Sequence, residues 1–271
     1  HKEYRRQRQM CIRDSSLSPY IHTLFAQSLG INVLYDRCLV KPGTLIKALQ
    51  KFRMIGGLGA NVTLPLKEEA FFLASSLSET AKKARSVNTL TWLEESGWQG
   101  DNTDGAGLVE DILQQGHQLT GAHILLIGAG GAARGVIGPI LQYEPASFIL
   151  TNRTTKKAQQ LAQYFHINSL PLEKISSKRY DVVINATSST LQGTSLPLDA
   201  KVFKNCQLAY DMMYGKCESP FLSLAKAAQV PYISDGLGML VYQAAASFER
   251  WTLLKPPASA VLTALRYKIT K

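Results

Sequence analysis

Residues 123–134 read HILLIGAGGAAR. His123 to Ile127 form a compact, mostly apolar run, and Gly128-Ala129-Gly130-Gly131-Ala132-Ala133 follows at once as G-x-G-x-x-A. An apolar run of that length bounded by turn residues predicts a strand covered on both faces. In this pattern the first glycine permits a tight turn and the second lets backbone approach a pyrophosphate. The small third position lets helix and strand pack closely. The helix that follows offers free N–H groups and a partial positive charge to an anion. Strand, glycine turn and helix in that order predict dinucleotide binding.

Working outward, similar runs recur at 148–151, 181–186, 207–213 and 230–234, with a helical pattern at 155–165. Continuous apolar strands alternating with helices predict a parallel sheet with helices on both faces. A dinucleotide domain over 105–238 is therefore expected. In an NAD site the next strand would end in Asp or Glu, about 20 residues on, to bind the ribose hydroxyls. Here it ends Asn152-Arg153-Thr154, with Lys156 and Lys157 close behind. A guanidinium at that point suits a 2′-phosphate, so NADP is the expected cofactor.

The flanking segments have a different rhythm. Helices are expected at 19–29, with Ser18 as N-cap and Pro19 in the first turn, at 44–52 and at 68–77. Strands are expected at 33–40, at 59–63, and as a pair over 87–93 and 98–100. After 238 the pattern is helical, at 240–251 and 259–269, on either side of Pro256-Pro257. The expected organisation is α/β: an N-terminal α/β unit (1–104) completed by C-terminal helices (239–271), plus the doubly wound parallel-sheet domain.

The chain has 271 residues, which at roughly 150 per domain agrees with two. Its composition, 45% hydrophobic and 18% charged, excludes wholesale disorder. No apolar run nears the roughly 18 residues of a membrane span, and no membrane association is expected. Cys11, Cys38, Cys206 and Cys217 form no C-x-x-C pair and have no histidine at metal spacing, so no metal is expected. Reduced thiols point to a cytoplasmic protein.

The formal charge is +10. Residues 1–14, HKEYRRQRQMCIRD, hold five basic and two acidic side chains, a net of +3, which leaves +7 elsewhere. That start lacks an apolar period, a signal-peptide core and an initiator Met, and reads as non-native sequence. No nucleic-acid motif accompanies the charge, and no nucleic-acid partner is expected.

Several polar residues stand where ligands bind beside strand ends: Ser16, Ser18, Asn61, Thr63, Lys67, Asn88 and Asp104. They lie within SLSP (16–19), NVTLPLKEE (61–69), VNTL (87–90) and DNTDGAG (101–107). Further along come GAGGAAR (128–134), NRT (152–154), NATSS (185–189), YDMMY (210–214) and DGLGMLVYQAA (235–245). In order and spacing these motifs resemble the shikimate dehydrogenase family, from Ser15 to Lys271. The resemblance implies a substrate domain, a Rossmann-like NADP domain, a cleft between them, and reversible reduction of 3-dehydroshikimate to shikimate. By position Lys67 and Asp104 match the family's catalytic pair. Ser16, Ser18, Thr63, Asn88, Tyr214 and Gln243 match its substrate-binding side chains, and Asn61 shares their motif. Residues 128–133, Asn152, Arg153, Thr154, Lys157, Thr187, Gly236 and Met239 fall on its cofactor side. A small-molecule substrate and a monomer or homodimer are expected. The same resemblance admits a quinate-using relative, or a chain impaired by its altered start. Family members begin with an apolar strand and a Gly-Pro turn before the Ser-x-Ser-Pro motif. Their replacement by residues 1–14 predicts loss of a core strand and an exposed sheet edge.

Overall fold

The computed structural model describes residues 17–187, 197–215 and 217–270, together with the backbone of 7–11. Its chain divides into two compact units. One runs to Gly107 and resumes at Leu240, and the other spans Leu108–Met239. No helix among the described residues is long and apolar enough to cross a membrane.

In the first unit β1 (Gln7–Cys11), α1 (Ser18–Ser28), β2 (Val33–Arg37), α2 (Leu45–Met54) and β3 (Gly57–Asn61) alternate. Then come α3 (Lys67–Leu73), β4 (Ser76–Leu77), α4 (Glu79–Ala84), β5 (Thr89–Leu93) and β6 (Gly97–Asp101). The sheet order is β2-β1-β3-β5-β6-β4. β1 runs parallel to both neighbours, while β5 is antiparallel to β3 and β6. The hairpin turns at Gly97, whose φ of +81° a side chain would strain. On one side the sheet is packed by Leu45, Leu49, Phe52, Val62, Leu66 and Leu90.

Two expectations need correction here. No strand is missing at the start: the backbone of Gln7–Cys11 occupies the slot between β2 and β3, so β3 is not an edge. Ladder hydrogen bonds come from the backbone, so a sequence without apolar alternation can still supply a strand. A register shift at Arg8/Gln9 marks its irregular fit against β3. The helix expected over 68–77 stops at Leu73, because Ala74 turns extended (ψ 132°) and the chain joins the sheet as β4. Sheet bonds from Ser75 N–H to Trp98 O and from Ser78 N–H to Gly100 O outweigh the local helical pattern there. A third difference is small. The first helix begins at Ser18 with Leu17 as its cap, because Leu17 is already in the helical region and accepts the Ile21 N–H.

Next in the chain is α5 (Asp104–Gln114). The second unit holds β7 (His123–Ile127), α6 (Gly131–Leu141), β8 (Ser147–Thr151), α7 (Thr155–Phe165) and β9 (Asn168–Ser169). It continues with β10 (Val182–Asn185), β11 (Leu208–Asp211), α8 (Pro220–Ala227) and β12 (Tyr232–Ser234). All strands are parallel, in the order β12-β11-β10-β7-β8-β9. Alternate residues of one strand feed opposite cores. Ile124 and Leu126 join one, Leu125 and Ile127 the other. The order reverses at β7/β10, the switch point where open α/β sheets bind ligands.

The chain returns through α9 (Leu237–Thr252) and ends with α10 (Ala258–Thr270), which packs on α1. Trp251 anchors α9 to the first sheet. Its indole N–H donates to Leu90 O at 3.0 Å, and its ring lies where a Cβ on Gly59 would project. Nearby His22 is fully buried and stacks on Tyr35, with ring centroids 4.1 Å apart. Burial pushes the imidazole down from 6.5 to about 3, and the Asn61 amide offsets this only in part.

Gly59→Ala is expected to destabilise the protein by about 1–3 kcal/mol in urea unfolding, because a buried indole cannot move aside cheaply. Unchanged stability would mean that α9 can shift off the sheet. For His22 the unfolded chain takes up a proton below pH 6.5 and the folded chain only near 3. This contribution is therefore complete above 6.5 and is lost as pH falls, by about 1.4 kcal/mol per pH unit. His22→Phe should flatten the acid limb of a stability-against-pH series by that slope. An identical limb would contradict the assignment.

Candidate active site

Lys67 and Asp104 are the first residues of α3 and α5. Lys67 Nζ donates to Asp104 Oδ2 at 2.5 Å, and both side chains are largely buried, 19% and 12% exposed. A carboxylate is favoured at a helix N-terminus and an ammonium is not, so the pair offsets an unfavourable position for Lys67. The Lys67 carbonyl accepts the Val87 N–H at 2.9 Å, which ties α3 to the segment leading into Asn88.

Asn88 links the pair to the sheet. Its Oδ1 accepts the backbone N–H of Thr103 at 2.8 Å and the Thr89 hydroxyl at 2.8 Å. Those donors fix the amide orientation. Nδ2 then donates to Asp104 Oδ1 at 2.8 Å, to Thr103 Oγ1 at 2.9 Å and to Gln243 Oε1 at 3.3 Å. Gln243 reaches in from α9, with its own Nε2 bonded to Leu240 O. Asn61, at the end of β3, accepts from the Tyr35 hydroxyl through Oδ1 at 3.0 Å. Its Nδ2 lies within hydrogen-bond reach of Asn88 O, Thr89 Oγ1 and Ser247 Oγ. The amide of Asn61 is thus spent within the protein, as a floor to the site.

The first unit therefore brings Lys67, Asp104, Asn88, Gln243 and Asn61 into one connected group. Thr63, half-buried, follows Asn61 in the loop to α3, and Ser18 is buried at the start of α1. Ser16 lies outside the described residues. Tyr214 follows β11 and belongs to the other unit. Sequence reading missed Tyr35, Thr89, Thr103 and Ser247 as members of the network. Thr89 and Thr103 sit inside the quoted motifs. Ser247 had only its spacing, one helical turn beyond Gln243.

In the second unit Gly128 leaves β7 with φ +118° and its N–H on Thr151 O. A Cβ there would sit 3.1 Å from the Ala186 backbone, so glycine suits the crossing. Gly130 caps α6 without a side-chain bond, and at Gly130 and Gly131 nothing lies within 4 Å of a Cβ position. Ala129 and Ala132 are half-buried in the same turn, and Ala133 is fully buried where α6 meets the sheet. The open backbone and the free helix N-terminus fit a pyrophosphate. At the adjoining strand ends Thr151 Oγ1 and Asn185 Nδ2 are buried without hydrogen-bond partners among the described residues. Thr187 folds back onto Asn185 Oδ1 through its N–H and hydroxyl. Asn152 Nδ2 bonds Thr154 O, which shapes the turn that presents Arg153. Arg153 and Lys157 are exposed and pair with no carboxylate among the described residues. Gly236 is held by its N–H on Met213 O, at a spot where a Cβ would strike Met212 backbone. Met239 is buried in the core of this unit.

The profile of the shikimate dehydrogenase substrate binding domain matches residues 12–90. The profile of shikimate / quinate 5-dehydrogenase matches 108–194, and that of the shikimate 5'-dehydrogenase C-terminal domain matches 236–266. Shikimate dehydrogenase (NADP(+)) from Dechloromonas aromatica is 48% identical over 94% of each chain. An Ael1 enzyme from Pseudomonas putida superposes with TM-score 0.91 at 35% identity, covering 96% of this chain and 98% of that one. Shikimate 5-dehydrogenase from Thermus thermophilus, solved with NADP(H) and shikimate, gives 0.87 at 32% identity, covering 96% and 99%. The chain belongs to the shikimate dehydrogenase family.

Proposed function

We propose that this protein catalyses the reversible, NADP-dependent reduction of 3-dehydroshikimate to shikimate. The observation that carries the reading is the Lys67–Asp104 pair, held on the buried Asn88 amide. When bound, the reduced nicotinamide supplies a hydride to the ring carbon. The carbonyl oxygen then needs one proton, and the Lys67 ammonium is the proposed donor. In the reverse direction the neutral amine takes that proton back. Asp104 receives hydrogen bonds at both oxygens and so acts as an acceptor, for Lys67 and for a substrate hydroxyl. Asn88, Gln243, Thr63, Ser16, Ser18 and Tyr214 are proposed to complete the substrate shell. A polyhydroxylated acid is distinguished by such partners, because a missing hydroxyl leaves them unpaired.

The second unit is proposed to hold NADP. Residues 128–133 and the start of α6 take the pyrophosphate, while Arg153, with Asn152, Thr154 and Lys157, takes the 2′-phosphate. Thr187, Gly236 and Met239 line the remainder. The Arg153 guanidinium, with no carboxylate partner among the described residues and no acidic residue at the end of β8, supports NADP over NAD.

Lys67→Ala should lower kcat by about 10²–10⁴ while the KM for shikimate changes far less, as steady-state reduction of NADP⁺ would measure. Near-normal turnover would remove Lys67 from the mechanism. Arg153→Ala should raise the KM for NADP⁺ by about 10- to 100-fold and leave that for NAD⁺ nearly unchanged. Equal effects on both cofactors would contradict the 2′-phosphate role.

A further inference from the structure

Ser247 lies in the middle of α9 with no exposed surface. Its hydroxyl is within 3.0 Å of Asn61 Nδ2, 2.8 Å of Thr89 Oγ1, 3.3 Å of Thr103 Oγ1 and 3.0 Å of Gln243 O. One small side chain thereby joins β3, β5, the turn before α5 and α9.

The group offers one continuous donor path, with Ser247 as the branch point. The Tyr35 hydroxyl gives to Asn61 Oδ1, and Asn61 Nδ2 gives to Ser247 Oγ. The Ser247 hydroxyl has two acceptors in reach, Gln243 O and Thr89 Oγ1; given to Thr89, its proton continues the path, because the Thr89 hydroxyl gives to Asn88 Oδ1. Asn88 Nδ2 gives to Asp104, which also receives Lys67. A chain polarised toward a carboxylate strengthens its last bond, and a buried chain missing a link leaves unpaired groups behind.

We infer that Ser247 is a positioning residue for the reaction: it touches neither Lys67 nor Asp104, but it sets the Asn61–Thr89–Asn88 relay that orients Asp104 toward Lys67. This rests on the proposed role of the Lys67–Asp104 pair.

The test compares the parent enzyme with Ser247→Ala, Ser247→Cys, Ser247→Thr and Thr89→Val. Each is assayed for kcat and both KM values, with the folded fraction measured by circular dichroism. Ser247→Ala and the similarly sized Ser247→Cys should each lose about tenfold in kcat per folded molecule, with KM for NADP⁺ unchanged and KM for shikimate moved by less than about threefold. Ser247→Thr keeps the hydroxyl and should recover most of that loss. Thr89→Val should show the same split, and combined with Ser247→Ala it should lose little beyond the larger single effect. The inference is overturned if kcat per folded Ser247→Ala enzyme stays within about twofold of the parent. It is also overturned if the two substitutions are additive. If Ser247→Ala cannot be obtained folded, Ser247→Cys and Thr89→Val decide by the same criteria. Full activity in Lys67→Ala would instead remove the reading on which the relay rests, so the two failures are told apart.

Discussion

The Asn88 side chain is the point on which the candidate site depends. A carboxamide can be turned either way, and only one orientation offers a donor to Asp104. The choice is made by the Thr103 backbone N–H and the Thr89 hydroxyl, both of which need the oxygen. Once Oδ1 is committed, Nδ2 must face Asp104. The second carboxylate oxygen is then left to Lys67. A partly buried ion pair gives little stability by itself, since desolvation opposes attraction. Here the pair is anchored by a neutral amide with no exposed surface to speak of. Its geometry is therefore set within the protein itself.

Two different devices handle charge in the two units. In the first, opposite charges are paired at helix starts, and the hydrogen-bond network restricts where they point. In the second, charge is left open. The start of α6 has no side-chain cap, and Arg153 has no carboxylate partner among the described residues. The first arrangement suits a hydroxylated ring carrying one reacting oxygen. The second suits a ligand that brings its own negative charge. The net positive charge of the chain thus has a local meaning at one turn, beyond its sum.

Much of this is legible in the sequence, for identifiable reasons. The parallel sheet reads clearly because its strands are covered on both faces, so HILLI and DVVINA become continuous apolar runs. The glycine turn reads because its φ and its close approach to Ala186 restrict the residue type. Lys67 and Asp104 read as candidates because each stands at a strand-to-helix junction. The first strand does not read, since QRQMC has no apolar alternation and three of its five residues are Gln or Arg, and its pairing is a backbone matter. The end of α3 does not read either. A helical pattern continues past Leu73, and only the distant β6 backbone draws the chain into the sheet. Ser247 is the hardest case. A serine in an apolar helix stretch has no local signature, and its meaning comes from Asn61, Thr89 and Thr103, all more than 140 positions away.

That long-range dependence explains why the polar floor is built from short side chains. Ser, Thr and Asn have few rotatable bonds, so fixing each one costs little conformational entropy. Each also carries both donor and acceptor capacity, so a closed set can satisfy itself without water. An apolar floor would pack as well, but it could not distinguish the two orientations of an amide. A floor of long charged side chains would be mobile and hard to desolvate. Selecting among the hydroxyls of a small ring requires partners whose directions are settled before the ligand arrives. Linking those partners through α9 also joins the site to the Trp251 contact on Gly59. Packing of α9 and orientation of Asp104 are then parts of one connected structure.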